Sequence, residues 1–194
     1  MSEDAEVAAL VAAGDLRSAA TRVIQAYGPA VLRYLRALLE DEGSVNDAFS
    51  LFGEWTWRGV ARFRGEAPLR AWAFGVAWNA AQRVRDEAWR KRRQRLSTGF
   101  GARLAATLRS ASPETRERRA GGLDALRREL APEDQSLLVL RLDQELAWEE
   151  IASVLSTDGA PVTAAALRKR FERLKERLAR LAQERGLLGQ GRRA

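Results

Sequence analysis

Apolar residues recur along this chain at intervals of three and four. Val31, Leu32, Leu35, Leu38 and Leu39 fall on one stripe of a helix. Leu167, Phe171, Leu174, Leu178 and Leu181 step by 4, 3, 4 and 3, a seam that must face a core. Between these stretches, Trp148, Ile151, Ala152 and Leu155 line one face of a shorter helix. Nearly the whole chain reads as helix, with breaks expected at Gly14-Asp15 and at Gly28-Pro29, where the proline opens a new helix in its first turn. Ser44 is the expected cap of the next helix, which runs through Trp57. "RGEAP" ends that run, and a long helix starts at Leu69. From Leu96 to Gly122 the chain turns to Ser, Gly, Thr and charge with little periodicity, the pattern of a linker. Beyond it four helices are expected, with Pro132 at a helix start and Thr163 as an N-cap. The fold class is therefore all-α: two small helical units, 1–95 and 123–185, joined by a flexible linker at 96–122, with a tail at 186–194.

Charge sharpens this picture. Lys and Arg number 33 against 26 Asp and Glu, a net charge of +7. Met1 to Ser50 is acidic, with four basic and eight acidic residues, whereas Arg83 to Arg95 carries seven basic and two acidic. Arg168 to Ala194 carries ten basic and three acidic. Two basic blocks far apart in the chain point to two contacts on a polyanion. Cysteine and histidine are both absent, so thiolate chemistry, imidazole bases and the usual zinc ligands are excluded. There is no paired carboxylate motif, phosphate loop or nucleophile elbow, so neither an enzyme nor a cofactor is expected. No apolar run approaches the ~20 residues of a membrane span, and the acidic start "MSEDAE" is no signal peptide; a cytoplasmic protein without membrane insertion is expected.

Two stretches carry candidate chemistry. A short amphipathic helix, a turn and a long basic helix make the helix-turn-helix plan, whose second helix enters the major groove. On that second helix Ala165, Lys169, Glu172 and Arg173 lie opposite the apolar seam, with Arg168 at the edge. Small residues allow close approach, cations reach phosphates or guanine edges, and a carboxylate accepts from cytosine. A basic hairpin packed on a protein partner is the competing reading. The second stretch, Trp55 to Asn79, holds four of the six tryptophans. On the helix from Leu69, Trp72, Ala73, Val76, Ala80 and Val84 share one side, so Trp72 is expected in the core. Phe74, Trp78, Gln82 and Arg85 fall on the other, with Asn79 at its margin. That face suits the stacking of unpaired bases; burial of the helix on both sides is the alternative. Trp55 and Trp57 are expected to pack between helices.

Asp47 with "AFSLFGEWTW", then "RFRGEAPLRAWAFGVAWN", and after the linker "LAPEDQSLLVLRLDQELAWEEIASVL" and "LRKRFERLKERL" resemble a bacterial RNA polymerase sigma factor of the sigma-70 family, extracytoplasmic-function type. The resemblance spans Tyr27 to about Arg95 and Leu123 to about Leu181. It implies a factor that binds core RNA polymerase, recognises promoter DNA as duplex and as melted single strand, and catalyses nothing itself. An anti-sigma protein is a candidate third partner. By resemblance, Asp47, Phe49, Ser50 and Phe52 meet core polymerase. Arg62, Phe63, Arg64, Phe74, Trp78, Asn79, Gln82 and Arg85 meet the minus-ten element. Thr163, Ala165, Arg168, Lys169, Glu172 and Arg173 meet the minus-35 element. The chain departs from the family pattern at Ser50, where Gln is frequent, at Gly53, where an aromatic is common, and at Arg83, where an acidic residue is expected. The break before Thr163 is also longer than usual. A helix-turn-helix regulator independent of polymerase, and a degenerate sigma-like interaction protein, are the two rival readings.

Overall fold

The computed structural model describes residues 2–65, 67–97, 126–127, 129–156 and 160–185, with backbone only for 91–97. Within them run seven α-helices: α1 (Glu3–Ala12), α2 (Leu16–Leu38), α3 (Glu42–Gly59), α4 (Leu69–Ser97), α5 (Pro132–Leu138), α6 (Trp148–Leu155) and α7 (Ala164–Glu184). A 3-10 turn, Val60–Arg62, follows α3, and α5 widens to π-helical spacing over Val139–Asp143. Most of the linker stretch, and the tail, lie outside the described residues.

Local chemistry explains most helix ends. Gly14, at φ +77°, turns the chain out of α1, and the Asp15 carboxylate accepts from Ser18 N at 3.0 Å to open α2. Pro132 stands in the first turn of α5, and Thr163 caps α7 by accepting from Ala166 N at 3.2 Å, both as expected. Two expectations fail. Asp41, not Ser44, caps α3: its carboxylate accepts from Ser44 N at 2.8 Å, which puts Ser44 inside the first turn. The break at Gly28-Pro29 is absent too, for α2 runs straight through it. Pro29 removes one N–H from the helix, but Gly28 is buried beneath Phe49 of α3, and the packing holds the helix through this point. A Cβ there would stand 3.6 Å from the Phe49 ring. Packing overrides the local signal.

The helices α2, α3 and α4 enclose the N-terminal core, in which Val31, Tyr34, Leu35, Val45, Ala48 and Phe52 are fully or almost fully buried. The expected stripe on α2 is the buried one. The C-terminal helices do not stand apart from this bundle. Helix α6 lies on α4, and α5 lies on α2, so one hydrophobic cluster runs through both halves. Polar contacts cross the seam as well: the hydroxyls of Tyr34 and Ser136 share a buried hydrogen bond of 2.5 Å, and the Arg70 guanidinium donates to the Gln144 carbonyl. Close approach is possible because α4 is small-sided where α6 crosses; a Cβ on Gly75 would be 4.0 Å from the Val154 Cα. No helix among the described residues is long and apolar enough to cross a membrane.

Candidate nucleic-acid interface

Among the described residues of the turn between α6 and α7, the Ser156 hydroxyl ties the end of α6 to the approach to α7. Ser156 Oγ accepts from Val162 N at 3.0 Å and donates to the Ala152 carbonyl at 2.7 Å. The seam of α7 packs inward through Leu167, Phe171 and Leu174, with the Trp148 ring edge-on to Phe171 at 5.4 Å. Arg170 anchors α7 to α5 through Asp134 at 2.5 Å. What remains outside is the face read from the sequence: Ala165, Arg168, Lys169, Glu172 and Arg173 are all exposed. Arg168 pairs with Glu149 of α6 at 3.1 Å and Glu172 with Lys175 at 2.7 Å. Both pairs are mostly exposed, so they are weak and leave these side chains exchangeable with phosphate. Thr163 is exposed, but its hydroxyl is engaged as the α7 cap.

The N-terminal candidates divide differently. Arg62 and Arg64 are exposed on either side of Phe63, which turns inward and packs on the Trp72 ring at 5.7 Å. Asn79 is exposed and Gln82 half-buried. Phe74 and Trp78, expected on an open polar face, are 0% and 2% exposed. Phe74 meets the Tyr34 ring edge-on at 5.3 Å. Burial on both sides, the alternative reading of this helix, is what occurs: Ala71, Ala73, Ala77, Ala80 and Ala81 are buried around α4 along with the aromatics, because it is packed by α2, α3 and α6 together. Neither ring is a stacking platform in this arrangement. Arg85 is also turned inward: it donates to the Leu38 carbonyl at 2.5 Å, and burial pushes its pKa down. There its charge compensates the carbonyl end of α2.

Two tryptophans reverse expectation. Trp57 does not pack between helices; it is 51% exposed, one turn before the Arg62 segment. A helical wheel for α3 alone would have found it, since Val45, Ala48, Phe52 and Thr56 form the buried stripe and Trp57 lies off it. Trp72, expected in the core, is only partly buried, its ring 3.2 Å from where a Gly59 Cβ would stand.

On α3, Asp47 and Ser50 are exposed on a groove of about 440 Å³ shared with Leu51, Glu54 and Glu87. Phe49 is half-buried, and Phe52 is fully buried, so Phe52 supports this surface from beneath and cannot touch a partner. Arg83 pairs with Glu87 at 2.9 Å along α4. Of the three carboxylates on the groove, Glu54 pairs with Arg58 at 2.7 Å and Glu87 with Arg83, so the charge offered to a basic partner centres on Asp47.

Comparison with known proteins agrees with this arrangement. Residues 23–95 match the Sigma-70 region 2 family. A chain in the solved structure of CnrH in complex with the cytosolic domain of CnrY is similar in fold, with a TM-score of 0.62 and 22% identity over 94% of this chain and 99% of that one. That likeness extends through the helix-turn-helix half, where the family match has ended. No curated protein matches by sequence. From α2 through α4 the chain thus carries a match to the region 2 domain of sigma-70 factors, and the likeness to CnrH shows a shared fold across both halves.

Proposed function

We propose that the chain is an initiation factor of the extracytoplasmic-function type, with 1–95 serving core polymerase and the minus-ten element and 123–185 serving the minus-35 element. The observation that carries this reading is the pairing, on one chain, of a region 2 domain with a capped helix-turn-helix whose exposed face holds Arg168, Lys169 and Arg173. Helix α7 reads duplex DNA through its N-terminal half, with an affinity that falls as salt rises. Extruding a base costs a few kcal/mol. The segment with exposed Arg62 and Arg64, together with Asn79 and Gln82, returns that energy at the minus-ten element. Action on polymerase implies a cytoplasmic protein. The likeness to CnrH, solved with the cytosolic domain of CnrY, supports a further protein partner of the anti-sigma kind.

Run-off transcription with purified core polymerase on a genomic promoter library tests the reading. Discrete, factor-dependent transcripts from a subset of promoters are expected. Duplex binding as a dimer without any transcript would favour the polymerase-independent regulator. Docking is tested through the acidic groove of α3. Asp47→Arg reverses a charge at its rim and is expected to weaken association with core at least tenfold, about 1.4 kcal/mol or more. Co-purification of the variant with core at the wild-type level would remove α3 as the docking helix.

A further inference from the structure

Helix α1 buries little: Val7 is its one fully buried residue. Leu10 and Val11 lie partly buried against the core, and Arg22 of α2 adds ion pairs with Glu3 at 2.9 Å and with Glu6 at 3.1 Å. Ser2 caps α1 itself by accepting from Ala5 N. The Asp4 carboxylate, not needed for that cap, accepts from Leu69 N at 3.0 Å, across 65 residues of chain. Leu69 is the first residue of α4, where backbone N–H groups have no partner within the helix and the dipole favours an anion. Asp4 thus caps α4 from outside it. Tyr27 lies nearby, and its phenol pKa is raised by burial first and by the Asp4 charge second.

The stretch leading into α4 is fastened at both ends. Phe63 is sunk against Trp72, Leu69 is tied to Asp4, and between them Arg64 is exposed and Gly65 turns the backbone at φ +71°. A segment held at both ends loses less freedom when it binds, so its affinity for a ligand rises without any added contact. We propose that α1 positions the minus-ten segment, and that Asp4 is the positioning residue that sets where this segment meets α4. The proposal rests on the reading that Arg62 and Arg64 engage melted promoter DNA.

The test uses full-length protein bound to core polymerase and a fluorescent single-stranded oligonucleotide of the minus-ten non-template strand. Asp4→Ala is expected to weaken oligonucleotide binding about fivefold while leaving association with core unchanged. Asp4→Asn keeps an accepting oxygen, and Asn caps helices as well as Asp does; it is expected to restore binding. Arg64→Ala separates the two layers of inference. If Arg64→Ala leaves oligonucleotide affinity unchanged, the minus-ten reading of this segment fails. If Arg64→Ala weakens binding but Asp4→Ala does not, the segment is right and the positioning role is wrong. A lower melting temperature for Asp4→Ala with unaltered oligonucleotide affinity would mark Asp4 as a stabilising cap alone, and would equally overturn the proposal.

Discussion

Trp78→Ala is expected to destabilise the free protein by about 3–5 kcal/mol, the cost of removing a large aromatic from a packed core. The side chain is 2% exposed, and α2, α3 and α6 all pack on the helix that carries it. For a protein of this size each kcal/mol moves the melting temperature by about 2–4 °C, so a fall of roughly 6–20 °C should appear in thermal denaturation. Promoter opening by this variant should decline only as far as the folded fraction declines. A variant that melts within a degree or two of wild type, yet fails to open promoters, would return Trp78 to the DNA surface and contradict its burial.

Fastening α6 to α4 is expected to abolish promoter-dependent transcription while leaving the fold intact. The reason is one of length. The minus-ten and minus-35 elements are named for positions about 25 base pairs apart, on the order of 85 Å of duplex at 3.4 Å per pair. A closed chain of this length has a radius of gyration of about 16 Å and is roughly 40 Å across. On the proposed assignment, the region 2 domain and α7 do not span both elements while α6 lies on α4, and the halves are expected to part on polymerase. The Gly75–Val154 contact allows a direct trial, because a Cβ at Gly75 falls 4.0 Å from the Val154 Cα, where the two helices touch. The chain has no cysteine of its own, so Gly75→Cys with Val154→Cys adds the one available pair. Oxidised, the double variant should lose about tenfold or more in run-off transcript, and reduction should restore it. Full transcription from the oxidised form would mean that the closed arrangement is no obstacle.

Features with one buried side were legible from the sequence. The stripe on α2, the seam of α7, the Thr163 cap and the exposed basic face opposite that seam all follow from period and cap chemistry, which depend on neighbours within a few residues. What escaped was set by distant parts of the chain. Phe74 and Trp78 are buried because α4 is enclosed by several helices, including one about 75 residues further along, and a wheel drawn on α4 alone divides it into a core side and an open side. Arg85 looked like a DNA contact because its charge was visible, whereas its acceptor, the Leu38 carbonyl, belongs to the end of another helix. Gly28-Pro29 has the composition of a break, yet Phe49 of α3 packs over Gly28 and the helix runs on beneath it. On α3 the error lay elsewhere. Trp57 is outside a stripe that could have been counted, but its type suggested a core residue more strongly than its position suggested solvent.

The hydroxyl pair of Tyr34 and Ser136 has a consequence at the scale of descent. The two residues are 102 positions apart and bury one shared hydrogen bond between the halves of the molecule. Losing either hydroxyl alone strands the other without a partner, at about 1–3 kcal/mol, while replacing both with apolar groups of similar shape is close to neutral. Lineages related to this chain should therefore keep the pair or lose it together, Phe arriving at position 34 when Ala arrives at 136. An ancestor that lost one hydroxyl first would have crossed a stability deficit comparable to a substantial fraction of a domain's whole margin.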